Sequence, residues 1–126
     1  MENRGKKIVR VKRKKDDLLV ASACAVADSM FSRLLGLLPR ANLSEQEALW
    51  IRPCNSVHTF FMRFSIDVLF LNKENEILHI VSALKPWRAT KIFFSAASVM
   101  ELPAGWSERI GLKKGDVLSV CDTPCA

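Results

Sequence analysis

The chain has 126 residues, of which 49% are hydrophobic and 25% are charged. This length suits one compact domain with its own core and leaves little room for a second. No stretch approaches the roughly 20 apolar residues of a membrane span, so we expect none. The net charge of +6 is uneven, because residues 1–17 hold eight basic and three acidic residues and the remainder is close to neutral.

Residues 1–17 form a basic N-terminal arm that has two interpretations. As an edge strand, its lysines would discourage pairing with other molecules, and Ile8, Val9 and Val11 suit such a strand. As a recognition arm, it would contact nucleic acid, a cyclic nucleotide or another polyanion. The aromatic residues that single-strand-binding proteins interleave with basic ones are missing, which favours the edge strand. The basic residues are Arg4, Lys6, Lys7, Arg10, Lys12, Arg13, Lys14 and Lys15.

Residues 18–27 form an apolar run that resembles a secretory or lipoprotein signal ending at Cys24. Asp16 and Asp17 interrupt its junction with the basic arm, and the apolar run before Cys24 has only six residues. A signal peptide normally has at least about seven, with no acidic residue beside them. We therefore interpret the run as a β-strand and expect a cytoplasmic protein with reduced thiols.

Most of the remaining elements are short strands separated by turn signals. A helix is predicted around residues 29–37, because Met30, Phe31, Leu34, Leu35 and Leu38 recur at helical spacing. Further strands are predicted at 48–51, 66–71, 76–84, 98–103 and 117–121, and the turn at 72–75 makes 66–71 and 76–84 the clearest hairpin. The pattern predicts a mainly β fold, a compact single-domain sandwich or barrel with the helix packed on it. The β-rich domain is placed at residues 18–122, followed by a tail at 123–126.

The stretch from Pro53 to Asp67 holds a dense set of chemical groups. His58 titrates near neutrality and is a candidate acid, base or ligand, with Asp67 as the partner that would orient it. Cys54 and His58 would form a nucleophile pair if a helix brought them together, and Pro53 argues against a helix here. The alternative is that Cys54 is a buried thiol and His58 a structural residue with satisfied hydrogen bonds.

Three further segments contribute candidate site residues. Trp87 and Arg88 offer a stacking plane beside a positive charge, as sites for flat or anionic ligands do. The alternative is that Trp87 seals the edge of the core. Glu101 lies in an apolar strand and faces either solvent or a cleft, where its pKa would be a functional clue. Arg33 lies beside the apolar stripe of the predicted helix, where it is either solvated or directed into a cleft.

The chain lacks the established cofactor and metal motifs. It has no phosphate loop of the G-x-x-x-x-G-K type, no G-x-G-x-x-G, no H-E-x-x-H and no G-x-S-x-G. Gly115 is followed by Asp116, which is typical of a turn. Cys121 and Cys125 have no histidines nearby in sequence to complete a zinc site. We therefore expect neither a metal nor a cofactor.

The order of several short motifs resembles the family known as domain of unknown function 192. The motifs are Arg33 to Arg40 (RLLGLLPR), Pro53 to Met62 (PCNSVHTFFM), Ile66-Asp67, Leu69 to Leu71, Pro86-Trp87-Arg88, Glu101 to Gly105 (ELPAG) and Gly115-Asp116. Together they cover nearly the whole domain. The resemblance implies a compact, mainly β domain with one helix packed on it, of the shorter bacterial group that carries no export signal.

The same resemblance implies no established enzymatic activity. The recurring polar positions of the family fall here on Arg33, His58, Met62, Asp67 and Glu101. Many members have an aromatic residue in place of the histidine, which argues against His58 as an indispensable catalyst. The basic arm is not part of the family pattern.

Three hypotheses for function follow from these residues. The leading one is a small cytoplasmic binding or accessory domain whose cleft holds a small anionic ligand such as a nucleotide. The second is an enzyme that uses His58 as acid–base with Asp67 or Glu101, although the chain shows no complete catalytic set. The third is nucleic-acid or cyclic-nucleotide binding through the basic arm. In the leading hypothesis, the ligand-binding residues are Arg33, Asn55, His58, Asp67, Trp87, Arg88 and Glu101.

Overall fold

The computed structural model of the chain describes residues 7–27 and 43–122. The strands among them are β1 (Lys7–Arg13), β2 (Leu18–Ala27), β3 (Glu47–Ile51), β4 (Ile66–Leu71), β5 (Ile77–Leu84), β6 (Ser98–Pro103) and β7 (Leu118–Asp122), and the short helix α1 is Trp106–Arg109. The predicted mainly β fold class is confirmed. The helix predicted around 29–37 and the tail at 123–126 lie outside the described residues. Within those residues, no helix is long and apolar enough to cross a membrane.

The seven described strands form one mixed sheet in the order β5-β4-β6-β3-β2-β1-β7. Neighbouring strands are antiparallel except β2 and β3, which are parallel. An isolated bridge between Glu76 and Val117 links the two ends of this order at one corner. The sheet is nevertheless not closed into a barrel. The predicted hairpin is confirmed as β4 and β5.

The central strands are buried on both faces, which explains their nearly continuous apolar sequences. All six residues of β4 are buried. Leu69 and Leu71 pack into the larger core cluster, with residues of β1, β2 and β7. Val68 and Phe70 pack into a second cluster with Met62, which belongs to the segment between β3 and β4. Because side chains alternate along a strand, neighbouring positions of β4 face different clusters.

β1 is an internal strand of this sheet. It pairs with β2 on one side and with β7 on the other. Its alternating Val9 and Val11 are almost completely buried in the larger cluster. The expectation of a basic edge strand is therefore corrected, because the C-terminal strand β7 covers β1. The domain start predicted at residue 18 lies after a strand that already belongs to the sheet.

A cluster of opposite charges fastens the loop before β7 to the end of β1. The carboxylate of Asp116 accepts hydrogen bonds from the Lys113 N–H (3.0 Å) and from Nη1 of Arg13 (3.2 Å). Burial acts to raise the pKa of Asp116, but these two hydrogen bonds and the nearby charges of Lys15 and Arg13 outweigh it. The pKa of Asp116 therefore lies below its ordinary value.

We expect Asp116→Asn to destabilise the protein by about 1 kcal/mol at pH 7 and by less at pH 3. Because the pKa of Asp116 is lower in the folded than in the unfolded chain, its charge stabilises the fold above the unfolded pKa. This contribution is lost as the pH falls through the folded pKa. Urea unfolding of both proteins at the two pH values measures the difference.

The matched control is Asp122→Asn, which removes the exposed partner of Lys7. No measurable change is expected, since exposed ion pairs contribute little. An equal destabilisation of Asp116→Asn at both pH values would contradict the prediction.

Candidate functional site

Asp67 is fully buried at the start of β4 and joins three segments. Its Oδ1 accepts hydrogen bonds from the backbone N–H groups of Ala83 (2.8 Å) and Gly105 (3.1 Å). Its Oδ2 accepts from the N–H (3.0 Å) and the hydroxyl (2.6 Å) of Ser107. Ala83 lies at a register shift of β5, and such a bulge re-aims the backbone. In the part of the chain that the structure describes, none of the donors to Asp67 is His58.

Glu101 is also fully buried, on the opposite face of the sheet from Asp67. In the antiparallel register of β4 and β6, Asp67 lies opposite Leu102 and Val68 lies opposite Glu101. Paired residues share a face, and successive residues alternate between faces. The two carboxylates therefore point to different sides of the sheet. The structure does not bring them together in one cleft.

His58, Trp87 and Arg88 come together at the tip of an irregular two-stranded layer that we call the ribbon, and Asn55 lies farther along the same layer, opposite Phe93. The ribbon consists of residues 52–65 and 85–97, and its Val57 and Met62 pack on the β4–β6 face. Its two segments run antiparallel. Backbone hydrogen bonds join Cys54 to Ala97, Asn55 to Phe93, Val57 to Thr90 and Thr59 to Arg88, and a bridge pairs His58 with Ala89.

Thr59 is buried at the tip of the ribbon and joins two turns. The Met62 N–H donates to its carbonyl oxygen (3.2 Å), which closes the turn 59–62. Its hydroxyl donates to the Lys85 carbonyl (2.6 Å) and accepts from the Arg88 N–H (2.9 Å). In an ordinary β-turn those two groups bond each other, so the hydroxyl is inserted into the turn 85–88. The Trp87 N–H donates to the same Thr59 carbonyl (3.0 Å), which fixes these paired turns side by side.

Each of the paired turns presents an exposed aromatic residue with a positive φ. Phe61 (φ 69°) and Trp87 (φ 62°) occupy the third position of their turns, where a positive φ favours Gly or Asn. Phe61 is 62% exposed and Trp87 is 56% exposed. Their ring centroids are 4.6 Å apart, and Phe60 lies 5.9 Å from Trp87 and 4.7 Å from His58. We call His58, Phe60, Phe61 and Trp87 the aromatic platform.

The sequence prediction included His58 and Trp87 but missed Phe60 and Phe61. A run of three apolar residues ending at Met62 is typical of a core, yet only Met62 is buried. One signal was available for the neighbouring turn, because Pro86 favours the second position of a turn and places Trp87 at the third. No comparable residue marks the turn around Phe61.

The ribbon carries positive charge without any negative charge. His58 is half-buried, and its Nδ1 accepts a hydrogen bond from the Phe60 N–H (3.4 Å). Nη1 of Arg88 donates to the carbonyl of Trp87 (3.4 Å), which keeps the guanidinium beside the turn. The ribbon has no Asp or Glu, and its exposed basic residues are Arg52, Arg63, Lys85, Arg88 and Lys91.

Several residues of the basic arm are next to carboxylates. Lys7 pairs with Asp122 at 3.1 Å, and Arg13 pairs with Asp16 at 2.8 Å and with Asp116 at 3.2 Å. Lys15 lies 3.6 Å from Asp116. Polyanion contact through the arm stays a prediction. Arg4 and Lys6, and also Arg33 of the proposed cleft, lie outside the described residues.

The cysteines show no arrangement for catalysis or metal binding where the structure describes them. Cys24 is buried, and burial raises the pKa of its thiol to about 12, so the thiol is protonated at neutral pH. Sγ of Cys54 donates to the Ser56 carbonyl at 3.0 Å. Among residues 7–27 and 43–122, no group of three or more His, Cys, Asp or Glu side chains could hold a metal ion. Cys125 lies outside these ranges.

The fold and the site define a mainly β single-sheet domain with an irregular aromatic ribbon layered on the sheet. Residues 10–120 match the model of the DUF192 family, which is described as "Uncharacterized ACR". The chain therefore belongs to the DUF192 family, as the order of its motifs predicts.

Curated relatives and a solved structure agree with this assignment. A UPF0127 protein of Pyrococcus furiosus is 39% identical over 95 residues, which cover 73% of this chain and 81% of that protein. A UPF0127 protein of Pyrococcus horikoshii is 39% identical over 94 residues, with shares of 72% and 81%. A solved structure of a protein of unknown function from Novosphingobium aromaticivorans has a TM-score of 0.75 and 18% identity, over 90% of this chain and 84% of that chain. At that identity the last likeness shows the fold alone, and the expected bacterial group stays a prediction.

Proposed function

We propose that this protein is a binding domain whose aromatic platform recognises a small ligand with a flat ring and a negative charge, such as a nucleotide. The observation that carries the proposal is the pair of exposed aromatic residues with positive φ, Phe61 and Trp87. The proposal uses His58 and Arg88 as neighbours of this pair, and Asn55, which lies opposite Phe93 farther along the ribbon, is not part of this contact. It leaves out Asp67 and Glu101, which the sheet buries on opposite faces.

Folding alone gives no reason for an aromatic residue at either position. A left-handed backbone costs a bulky residue about 1–3 kcal/mol, and Gly or Asn would close either turn more easily. More than half of the surface of Phe61 and of Trp87 stays exposed, so burial offsets little of this strain. Strained residues of this kind cluster at ligand-binding positions. The rings are therefore best explained by a contact made outside the chain.

The platform and Arg88 offer complementary chemistry to a nucleotide. The indole of Trp87 stacks on a flat ring, and one such contact is worth about 1–3 kcal/mol. The guanidinium of Arg88 presents a fork of donors that matches two phosphate oxygens. The absence of acidic residues from the ribbon keeps the local potential positive and attracts an anion.

The paired turns are arranged to hold the platform ready for a ligand. Thr59 fixes the backbone on both sides of Trp87 through its carbonyl and hydroxyl groups. A preorganised site loses less conformational entropy on binding, which favours affinity. Contact residues that are held rigidly also orient a small ligand in one position.

The direct test is calorimetric titration with adenosine monophosphate and with adenosine. We expect Trp87→Ala to weaken the binding of both ligands at least about tenfold, because both stack on the indole. Arg88→Ala should weaken the binding of adenosine monophosphate more than that of adenosine, since only the monophosphate carries a negative charge. Leu19→Ala, an exposed apolar residue of β2, is the control and should bind like the wild type. Unchanged affinity of Trp87→Ala for both ligands would rule out the proposed function.

A further inference from the structure

We propose that the ligand is a stretch of single-stranded nucleic acid that runs along the ribbon from the aromatic platform to a second apolar station. This inference rests on the proposed function of the platform, and it extends the bound ligand beyond a single nucleotide. The second station consists of Ile92 and Phe94. Phe94 is 85% exposed and Ile92 is 51% exposed.

Phe93 lies between Ile92 and Phe94 in the sequence and directs both of their side chains toward the surface. The ring of Phe93 packs inward against Phe70, with ring centroids 4.3 Å apart, and against His79 at 4.3 Å. Ile92 and Phe94 therefore line a surface cavity of about 410 Å³ together with His79 and Lys114. An aromatic face at the mouth of an open cavity is suited to a base that has left its stack.

The two stations are too far apart for one nucleotide to occupy both. Arg88 is hydrogen-bonded to Thr59 and Phe93 to Asn55, so four residues of the partner segment separate the stations. At about 3.3 Å per extended residue, this separation is about 13 Å. Stacked nucleotides follow one another at about 3.4 Å along a strand, so about four of them fill this length.

The charge between the stations has the sign that a nucleic-acid backbone requires. Arg88 and Lys91 lie between Trp87 and Phe94 in the chain, and Lys114 lies at the far cavity. Exposed aromatic residues interleaved with basic ones, without acidic residues, are typical of single-strand binding. An acidic peptide would meet the charges but has no flat ring to offer at each station, and a duplex keeps its base faces stacked inside. DNA and RNA share the chemistry that the ribbon recognises.

The inference is tested with labelled oligothymidylates and oligouridylates of increasing length, titrated by fluorescence anisotropy. In the DNA series, the RNA series or both, we expect an octanucleotide to bind about tenfold more tightly than a dinucleotide. The reason is that only the octanucleotide reaches a second stacking residue. Phe94→Ala should remove this gain and leave the binding of adenosine monophosphate unchanged. Lys91→Ala should lower the slope of log K against log salt by about 0.7, whereas Lys73→Ala, in the turn between β4 and β5, should not.

Three outcomes would overturn the inference. They are an octanucleotide that binds no better than a dinucleotide in either the DNA or the RNA series, an undiminished length effect in Phe94→Ala, and competition by polyglutamate as strong as by the octanucleotide. The last outcome would indicate an acidic peptide partner. If adenosine monophosphate still binds through Trp87 in any of these cases, the proposed function stands and only the extended ligand is lost.

Discussion

Replacement of Asp67 by alanine is expected to destabilise the fold by about 4 kcal/mol, near the upper end for single substitutions. The reason is that its carboxylate accepts four hydrogen bonds from Ala83, Gly105 and Ser107 inside the protein. Each buried donor left without a partner costs about 1–3 kcal/mol. Urea unfolding followed by circular dichroism measures the change.

Two further variants measure how much of this loss comes from the carboxylate of Asp67 and how much from a single donor. Asp67→Asn keeps one acceptor oxygen and should lose less stability than Asp67→Ala. Ser107→Ala removes only the hydroxyl donor (2.6 Å) and should cost about 1 kcal/mol. An Asp67→Ala protein as stable as the wild type would contradict this structural role and return Asp67 to the list of candidate catalysts.

The substitution Thr59→Val is expected to destabilise the protein by about 2–3 kcal/mol and to weaken nucleotide binding about tenfold. Valine has nearly the same shape but no hydroxyl, so the carbonyl of Lys85 and the N–H of Arg88 lose their shared partner. The turn 85–88 then has to rearrange, and Trp87 leaves its position beside Phe61. Urea unfolding and titration with adenosine monophosphate measure the two effects.

Thr59→Ser is the matched control, because serine keeps the hydroxyl and removes only a methyl group. It should retain most of the nucleotide affinity even if the fold becomes slightly less stable. Equal affinities of the Val and Ser variants would show that the inserted hydroxyl does not organise the platform.

The fold class was predictable because its signals are local. Alternating and continuous apolar runs mark the strands, and the turn at 72–75 marks the hairpin of β4 and β5. The position of β1 was not predictable, because its basic residues give no sign of the strand that covers it. Which strands become neighbours depends on contacts between distant segments, and those leave no periodicity in the sequence.

The candidate site was predictable only in part, for a related reason. Trp87 and Arg88 were found as a pair because they adjoin in sequence and follow a proline. Asp67 and Glu101 appeared as members of the same cleft, yet the register of β4 against β6 directs them to opposite faces. A one-residue difference in register exchanges the faces, and the sequence around these residues is apolar on both. Phe61 was missed because nothing in the sequence indicates that a phenylalanine adopts a positive φ.

The pairing of β1 with β7 has a consequence for the synthesis of the protein on the ribosome. Val9 lies opposite Asp122, so β1 can pair with β7 only after the residues between the two strands have been synthesised. While the chain emerges from the ribosome, the outer edge of β1 has nothing to cover it, and unpaired strand edges invite association with other chains. β7 can cover this edge only after it has been synthesised. A nascent chain stalled before Leu118 should be a better substrate for chaperones than the completed protein.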